Sequence, residues 1–143
     1  MTPYEALYLL GIRRISVVSI SSSQAISFDE LYKNFESKNA RFSSLWQVYR
    51  RLREAGWIVR SGLNYGTDYV LYRTSPDEEH AEYAVLVLAL GLPEDSQISW
   101  RRVLGINRSC AGARKRLLIA TVDAQQSLSI IKVERWLAEA DRF

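Results

Sequence analysis

Histidine, cysteine and methionine each occur once in this 143-residue sequence, and proline only three times. A lone Cys110 excludes an internal disulfide and fits a reducing compartment. One cysteine and one histidine cannot build a zinc site of the usual spacing. Long apolar runs are missing too. The longest, Tyr83 to Leu90, falls far short of the roughly 18 residues of a membrane span, so no membrane partner is expected. The arginines near the N-terminus follow the apolar segment instead of preceding it, and no cleavage site follows, so no signal peptide is expected. Internal repeats and low-complexity tracts are absent. What is present is ordinary for one globular domain, or two small lobes sharing a core: 48% hydrophobic and 24% charged residues. A net charge of +3 and a pI near 9.1 permit nucleic-acid binding without requiring it.

The pattern along the chain predicts helices first and strands later. Thr2-Pro3-Tyr4-Glu5 starts a helix with a capping box and a first-turn proline, and Gly11 is its stop. Ile15 to Ile20 reads as a strand. Ser27-Phe28-Asp29-Glu30 opens a second helix with Phe28, Leu31, Tyr32 and Phe35 on one face. Ser43 or Ser44 is expected to cap a third, with Leu45, Trp46, Tyr49 and Leu52 at helical spacing and Gly56 ending it. After Gly56 come short strands at Trp57 to Arg60, Thr67 to Arg73 and Glu82 to Leu90, with a loop at residues 61–66 and a turn at residues 74–77. Ser99 caps a helix, and Leu117 to Val122 and Ser129 to Trp136 read as two more strands. This order predicts an α+β fold.

Chemistry concentrates around His80. Tyr65, Tyr69, Tyr72 and Tyr83 lie near it in sequence. A lone histidine beside a strand is, taken blindly, more often a structural residue. Two features argue otherwise. The acidic neighbours Asp77, Glu78 and Glu79 would attract a protonated imidazole, and Tyr72 stands just across the turn, where a hairpin would bring it to His80. Spacing alone does not choose among the eight tyrosines. A second feature is Arg108 to Arg116, the densest basic stretch. It is either a solvated helix end or a phosphate-binding edge, where small residues at 109–113 allow close approach and Arg114 and Lys115 supply charge.

These segments together resemble a known family. Tyr49 to Trp57, Arg60 to Tyr69, Leu71-Tyr72-Arg73 with Pro76, His80-Ala81-Glu82-Tyr83, Arg108 to Lys115 and Glu134-Arg135-Trp136 are similar, in order, to the catalytic domain of tRNA-splicing endonuclease. The likeness covers roughly residues 44–137. It implies a shortened N-terminal α/β part at residues 1–43 and a mixed-sheet, nuclease-like catalytic domain at 44–143. Leu71-Tyr72-Arg73 and the His80 segment look most like the eukaryotic subunit that cleaves the 5′ splice site, which implies a nuclear enzyme. The archaeal enzymes are also similar, with cytoplasmic work as the alternative.

The resemblance implies Tyr72 as base, His80 as acid and Lys115 as the charge that stabilises the transition state. RNA brings its own nucleophile, the 2′-hydroxyl, so cleavage would leave a 2′,3′-cyclic phosphate and a 5′-hydroxyl with no cofactor and no metal. Phenols are awkward bases, since a reference pKa of about 10 leaves roughly one part in a thousand ionised near neutrality. Tyr72 would then orient the hydroxyl instead. Arg108 and Trp136 are implied to grip a bulged nucleotide of the precursor tRNA between planar groups, at the partner's active site. The expected partners are other splicing-endonuclease subunits in a hetero-oligomer, pairing through the strand Ser129 to Trp136. In the family an acidic loop plugs a neighbour; the loop Asp123 to Ser127 has one acid, which implies the recipient role. A non-catalytic structural or RNA-binding subunit of the same complex is the alternative. A metal-dependent DNA-cutting nuclease is discounted, because no acid and lysine stand at the expected short spacing on a central strand.

Overall fold

Residues 1–77 and 80–134 are described by the computed structural model. Helix α1 (Pro3–Gly11) starts where the Thr2 hydroxyl accepts the Glu5 N–H at 3.2 Å. Helix α2 (Phe28–Lys38) repeats this with Ser27 and the Glu30 N–H, also at 3.2 Å. Such caps contribute about 1 kcal/mol each. The strand expected at Ile15 to Ile20 does not form. Only an isolated bridge joins Val18 to Ala25, and Ile20 is fully exposed. β-branched residues cannot hold a strand without a ladder to join.

Helix α3 (Phe42–Glu54) begins earlier than expected, and neither Ser43 nor Ser44 caps it. Arg41 takes the cap position, with its N–H bonded to Asn39 Oδ1 at 2.9 Å. Ser43 is diverted to Gln126, and Ser44 is buried. Gly56, with φ of 93°, ends the helix in the left-handed region that favours glycine.

Five strands follow: β1 (Ile58–Ser61), β2 (Tyr69–Tyr72), β3 (Tyr83–Ala89), β4 (Arg116–Val122) and β5 (Leu128–Val133). They form one sheet in sequence order, antiparallel except for the parallel β3–β4 pair. That parallel pair needs a crossover, supplied by α4 (Pro93–Ser96), which the pattern did not foretell, and α5 (Trp100–Gly112), capped by Ser99 as expected. The last strand ends at Val133; the expected continuation through Arg135 to Trp136 lies outside the described residues. The fold is α+β, helices first and a five-stranded mixed sheet after.

Strand alternation sends side chains to two covers. Leu71, Val85, Val87, Ala120 and Val122 meet α1, α2 and α3, where the Tyr4 and Phe42 rings stack at 5.2 Å. Val70, Ala84, Leu86, Leu117 and Ile119 meet α5 through Val103 and Cys110. A polar clamp ties the helices to the sheet. Arg41 donates to Asp95 (2.9 Å), to Asp68 (3.1 Å) and to the Val87 carbonyl (2.6 Å), while those carboxylates accept the Ala89 and Val87 N–H groups. Burial alone would lower the pKa of Arg41, but the bonds and charges of Asp68 and Asp95 raise it instead.

Candidate active site at one end of the sheet

Tyr72 closes β2, and β3 and β4 open next to it. Leu71 pairs with Tyr83, and Tyr83 pairs with Arg116, so the three strand ends lie in one row. The row is fastened by Glu82 N–H to Leu71 carbonyl (2.9 Å) and Arg116 N–H to Glu82 carbonyl (3.1 Å). Tyr72 follows Val70 at period two, and Lys115 precedes Leu117 at period two, so both belong to the α5 face. Their strands are separated by β3 alone, which sets the backbones about 10 Å apart.

Each residue has a distinct setting. Tyr72 is half-buried against the α5-side core. His80 is exposed and comes just before Ala81, which is buried at the strand entrance. Its expected acidic neighbours Glu78 and Glu79 lie outside the described residues; Asp77 is exposed, its N–H donating to Ser75. Lys115 is 9% exposed, its backbone fixed by a 2.8 Å bond to the Cys110 carbonyl after the left-handed Arg114. Arg108 is exposed on α5, about two helical turns before the lysine. Trp136 lies outside the described residues.

The surrounding charge is one-sided. Residues 96–122 hold six Arg or Lys and no Asp or Glu. Glu82 is the carboxylate at the row, and the Arg73 hydrogen bond at 2.6 Å holds it below the usual carboxylate range. Cys110, buried on the α5 face, is no nucleophile: burial pushes its thiol up, against the pull of the Lys115 charge. Among the described residues no three of His, Cys, Asp or Glu gather as metal ligands would. A polyanion with its own nucleophile suits this site: cations to receive phosphate, a phenol, and an exposed imidazole.

Two features escaped the sequence pattern. The Lys115 ammonium sits over the Tyr65 ring, 4.4 Å from its centroid. Gly62 and Gly66 bracket that tyrosine and hinted at a special loop, but no spacing connects residue 65 to 115. The Arg41–Asp68–Asp95 clamp spans 54 residues and has no local signature either.

Comparison with known proteins shows which family the chain resembles. Residues 42–130 match the tRNA intron endonuclease family, catalytic C-terminal domain. A tRNA-splicing endonuclease of Sulfurisphaera tokodaii is 35% identical over 133 residues, covering 93% of this chain and 71% of that protein. One from Saccharolobus islandicus is 31% identical over 133 residues, covering 93% and 70%. Another, from Saccharolobus solfataricus, is 35% identical over 119 residues, covering 83% and 63%. Matched over most of its length by these archaeal relatives, and over residues 42–130 by the family's catalytic domain, the chain belongs to the tRNA intron endonuclease family.

Proposed function

We propose that this chain is a catalytic subunit that cuts precursor tRNA at an intron–exon junction, the 5′ junction, leaving a 2′,3′-cyclic phosphate and a 5′-hydroxyl. The observation that carries this reading is the placement of Tyr72 and Lys115 on one face and in one row of the sheet, with His80 entering at the same end. Tyr72 orients or deprotonates the 2′-hydroxyl, His80 protonates the departing 5′-oxygen, and Lys115 meets the charge growing on phosphorus. Because the nucleophile comes from the RNA, no metal-activated water is required.

Assembly follows from two surfaces. β5 is an edge strand with Ile130 and Ile131 exposed, which supports pairing with another subunit along that edge. The loop at residues 123–127 is folded back on α3, with Gln47 donating to the Gln126 carbonyl at 2.7 Å and Asp123 accepting the Ser127 N–H at 2.8 Å. A loop so engaged, with one acid, supports the recipient role in a hetero-oligomer. Arg108, with Trp136, would stack a bulged nucleotide at the opposite active site. The archaeal relatives support an archaeal-type enzyme working in the cytoplasm over a nuclear one.

The test is cleavage of an end-labelled, intron-containing precursor tRNA by the purified chain, alone and with candidate partner subunits, with and without chelator. The expected result is a cut at the 5′ junction with a cyclic phosphate end and no loss in chelator. Activity lost in chelator and restored by magnesium, beyond what tRNA folding needs, would rule out the metal-free step. Absence of cleavage with every partner, with precursor still bound, would favour the structural-subunit alternative.

A further inference from the structure

We propose that Tyr65 is a positioning residue for Lys115, holding its ammonium by the ring face so that the full positive charge stays available to the scissile phosphate. The inference rests on the reading of Lys115 as the group that meets phosphorane charge.

Lys115 is an unusual lysine. It is 9% exposed, yet no ion pair among the described residues includes it. Among the described residues its ammonium has two partners: the Tyr65 ring, with Nζ 4.4 Å from the centroid, and the Ala113 carbonyl at 3.3 Å. A buried cation is ordinarily satisfied by a carboxylate. Here that would defeat the purpose, because a carboxylate would cancel the charge that a phosphate must meet. A ring face attracts the cation through its quadrupole and leaves the charge uncancelled. An ammonium has three N–H donors. With one given to Ala113, and the ring accepting no conventional hydrogen bond, donors remain for a phosphate oxygen.

The turn that carries the ring is closely fixed. Tyr65 ends a short 3-10 turn, Leu63–Tyr65, with its N–H bonded to the Gly62 carbonyl at 2.9 Å. A Cβ at Gly62 would lie 2.3 Å from the Thr67 hydroxyl and 2.8 Å from the Tyr69 carbonyl oxygen, so only glycine allows this turn to sit against β2. Gly66 leaves the turn at φ of 72°. The buried Thr67 hydroxyl lies 3.1 Å from the Gly62 carbonyl and 3.3 Å from that of Tyr69, locking the turn to the strand that carries Tyr72. Ring and phenol base are thus set by one rigid piece, and the lysine by the end of α5. A ring carried on that piece, 4.4 Å from the ammonium, restrains where the ammonium meets phosphate, and small misplacements reduce rate steeply.

The experiment measures single-turnover cleavage and precursor affinity for the active assembly carrying Tyr65→Phe, Tyr65→Trp, Tyr65→Leu or Tyr65→Met, with Lys115→Ala in parallel. Proton shifts of the Lys115 Cε methylene are read on the same chains. Phe and Trp should keep the rate within about twofold, since the ring face remains. Leu and Met should lower it at least about tenfold with affinity and melting temperature unchanged. The Cε protons, shifted upfield by the ring, should return to ordinary lysine values in Leu and Met only. A Leu or Met variant that is folded and cleaves at the wild-type rate while Lys115→Ala is dead overturns the positioning role and leaves the site reading intact. Equal losses in Phe and Leu would assign the effect to the hydroxyl and overturn it as well. Wild-type cleavage by Lys115→Ala removes the site reading, and this inference with it.

Discussion

The two faces of the sheet are built on opposite plans. On the α3 side, three helices bring Tyr4, Phe28, Tyr32, Phe42, Trp46 and Tyr49 into a continuous ring-packed layer, with the Tyr69 hydroxyl donating to the Leu45 carbonyl at 2.9 Å. Burial raises the pKa of Tyr4, Tyr49 and Tyr69, so these phenols stay protonated. On the α5 side a single helix covers the sheet, burying only Val103 and Cys110 from its own length. That thin cover leaves the sheet end to Tyr65, Tyr72 and Lys115. Under the proposed function the difference is a division of labour: tyrosine is mainly packing material on one face, and on the other Tyr72 would act on the RNA while Tyr65 meets the Lys115 ammonium. Rings on the first face contribute about 0.5–1.5 kcal/mol per pair beyond their burial. On the other face Lys115 is buried with no ion pair among the described residues.

If the division holds, changes at the sheet end should cost activity and changes under α3 should cost stability. The largest effect is expected from His80→Ala. Single-turnover cleavage should fall by about 10²- to 10⁴-fold while precursor binding and the melting temperature stay put, because the side chain is exposed. Near-normal cleavage by this variant would end the acid assignment. Next, Phe42→Ala removes a ring packed on Tyr4, Tyr32 and Phe35. Denaturant unfolding should show a loss of about 3–5 kcal/mol, with cleavage per folded molecule unchanged. A large rate loss there would show that the two faces are coupled.

Arg41→Ala should cost about 2–3 kcal/mol, less than a fully buried pair, because it strands two carboxylates that are only partly exposed. Asp68 sits beside Thr67 and the turn that carries Tyr65, so this variant also asks whether the clamp transmits to the site. A cleavage rate unchanged at temperatures where the variant remains folded would confine the clamp to structure. The smallest effect belongs to Glu82→Gln at the exposed pair with Arg73. Since the Glu82 carboxyl is held below its ordinary value, its contribution is present above the ordinary carboxylate range and lost as pH falls through the lowered value. Thermal melts should therefore separate wild type from Glu82→Gln slightly at neutral pH and not at all in strong acid. A difference that grew on acidification would reverse the assigned sign.

The sequence made the four longer helices legible because their signals are local, while the short α4 escaped it. Thr2, Ser27 and Ser99 each cap the helix expected of them, and the stripe Phe28, Leu31, Tyr32 and Phe35 packs where its spacing says. The first four strands of the sheet were legible within one or two residues for the same reason, and the fifth at its start. The failures have a common cause. Ile15 to Ile20 had the composition of a strand, but pairing depends on a partner elsewhere in the chain. Ser43 and Ser44 had the chemistry of caps, but Gln126 and the core claimed them.

Of the candidate site, the residue types and their order were readable, since Tyr72, His80 and Lys115 stand in recognisable local motifs. The placement of Lys115 in the same row was not. It required the parallel β3–β4 register, which sets Lys115 beside a strand end more than thirty residues earlier, and register is a matter of packing. Tyr65 shows the limit most clearly. Its flanking glycines marked a turn, but nothing along the chain pointed to Lys115, and only the approach of α5's end brings the ammonium 4.4 Å from its ring. Capping and periodicity act over three or four residues and are written in sequence; the ring that faces the Lys115 ammonium comes from fifty residues away, and only tertiary structure brings the two together.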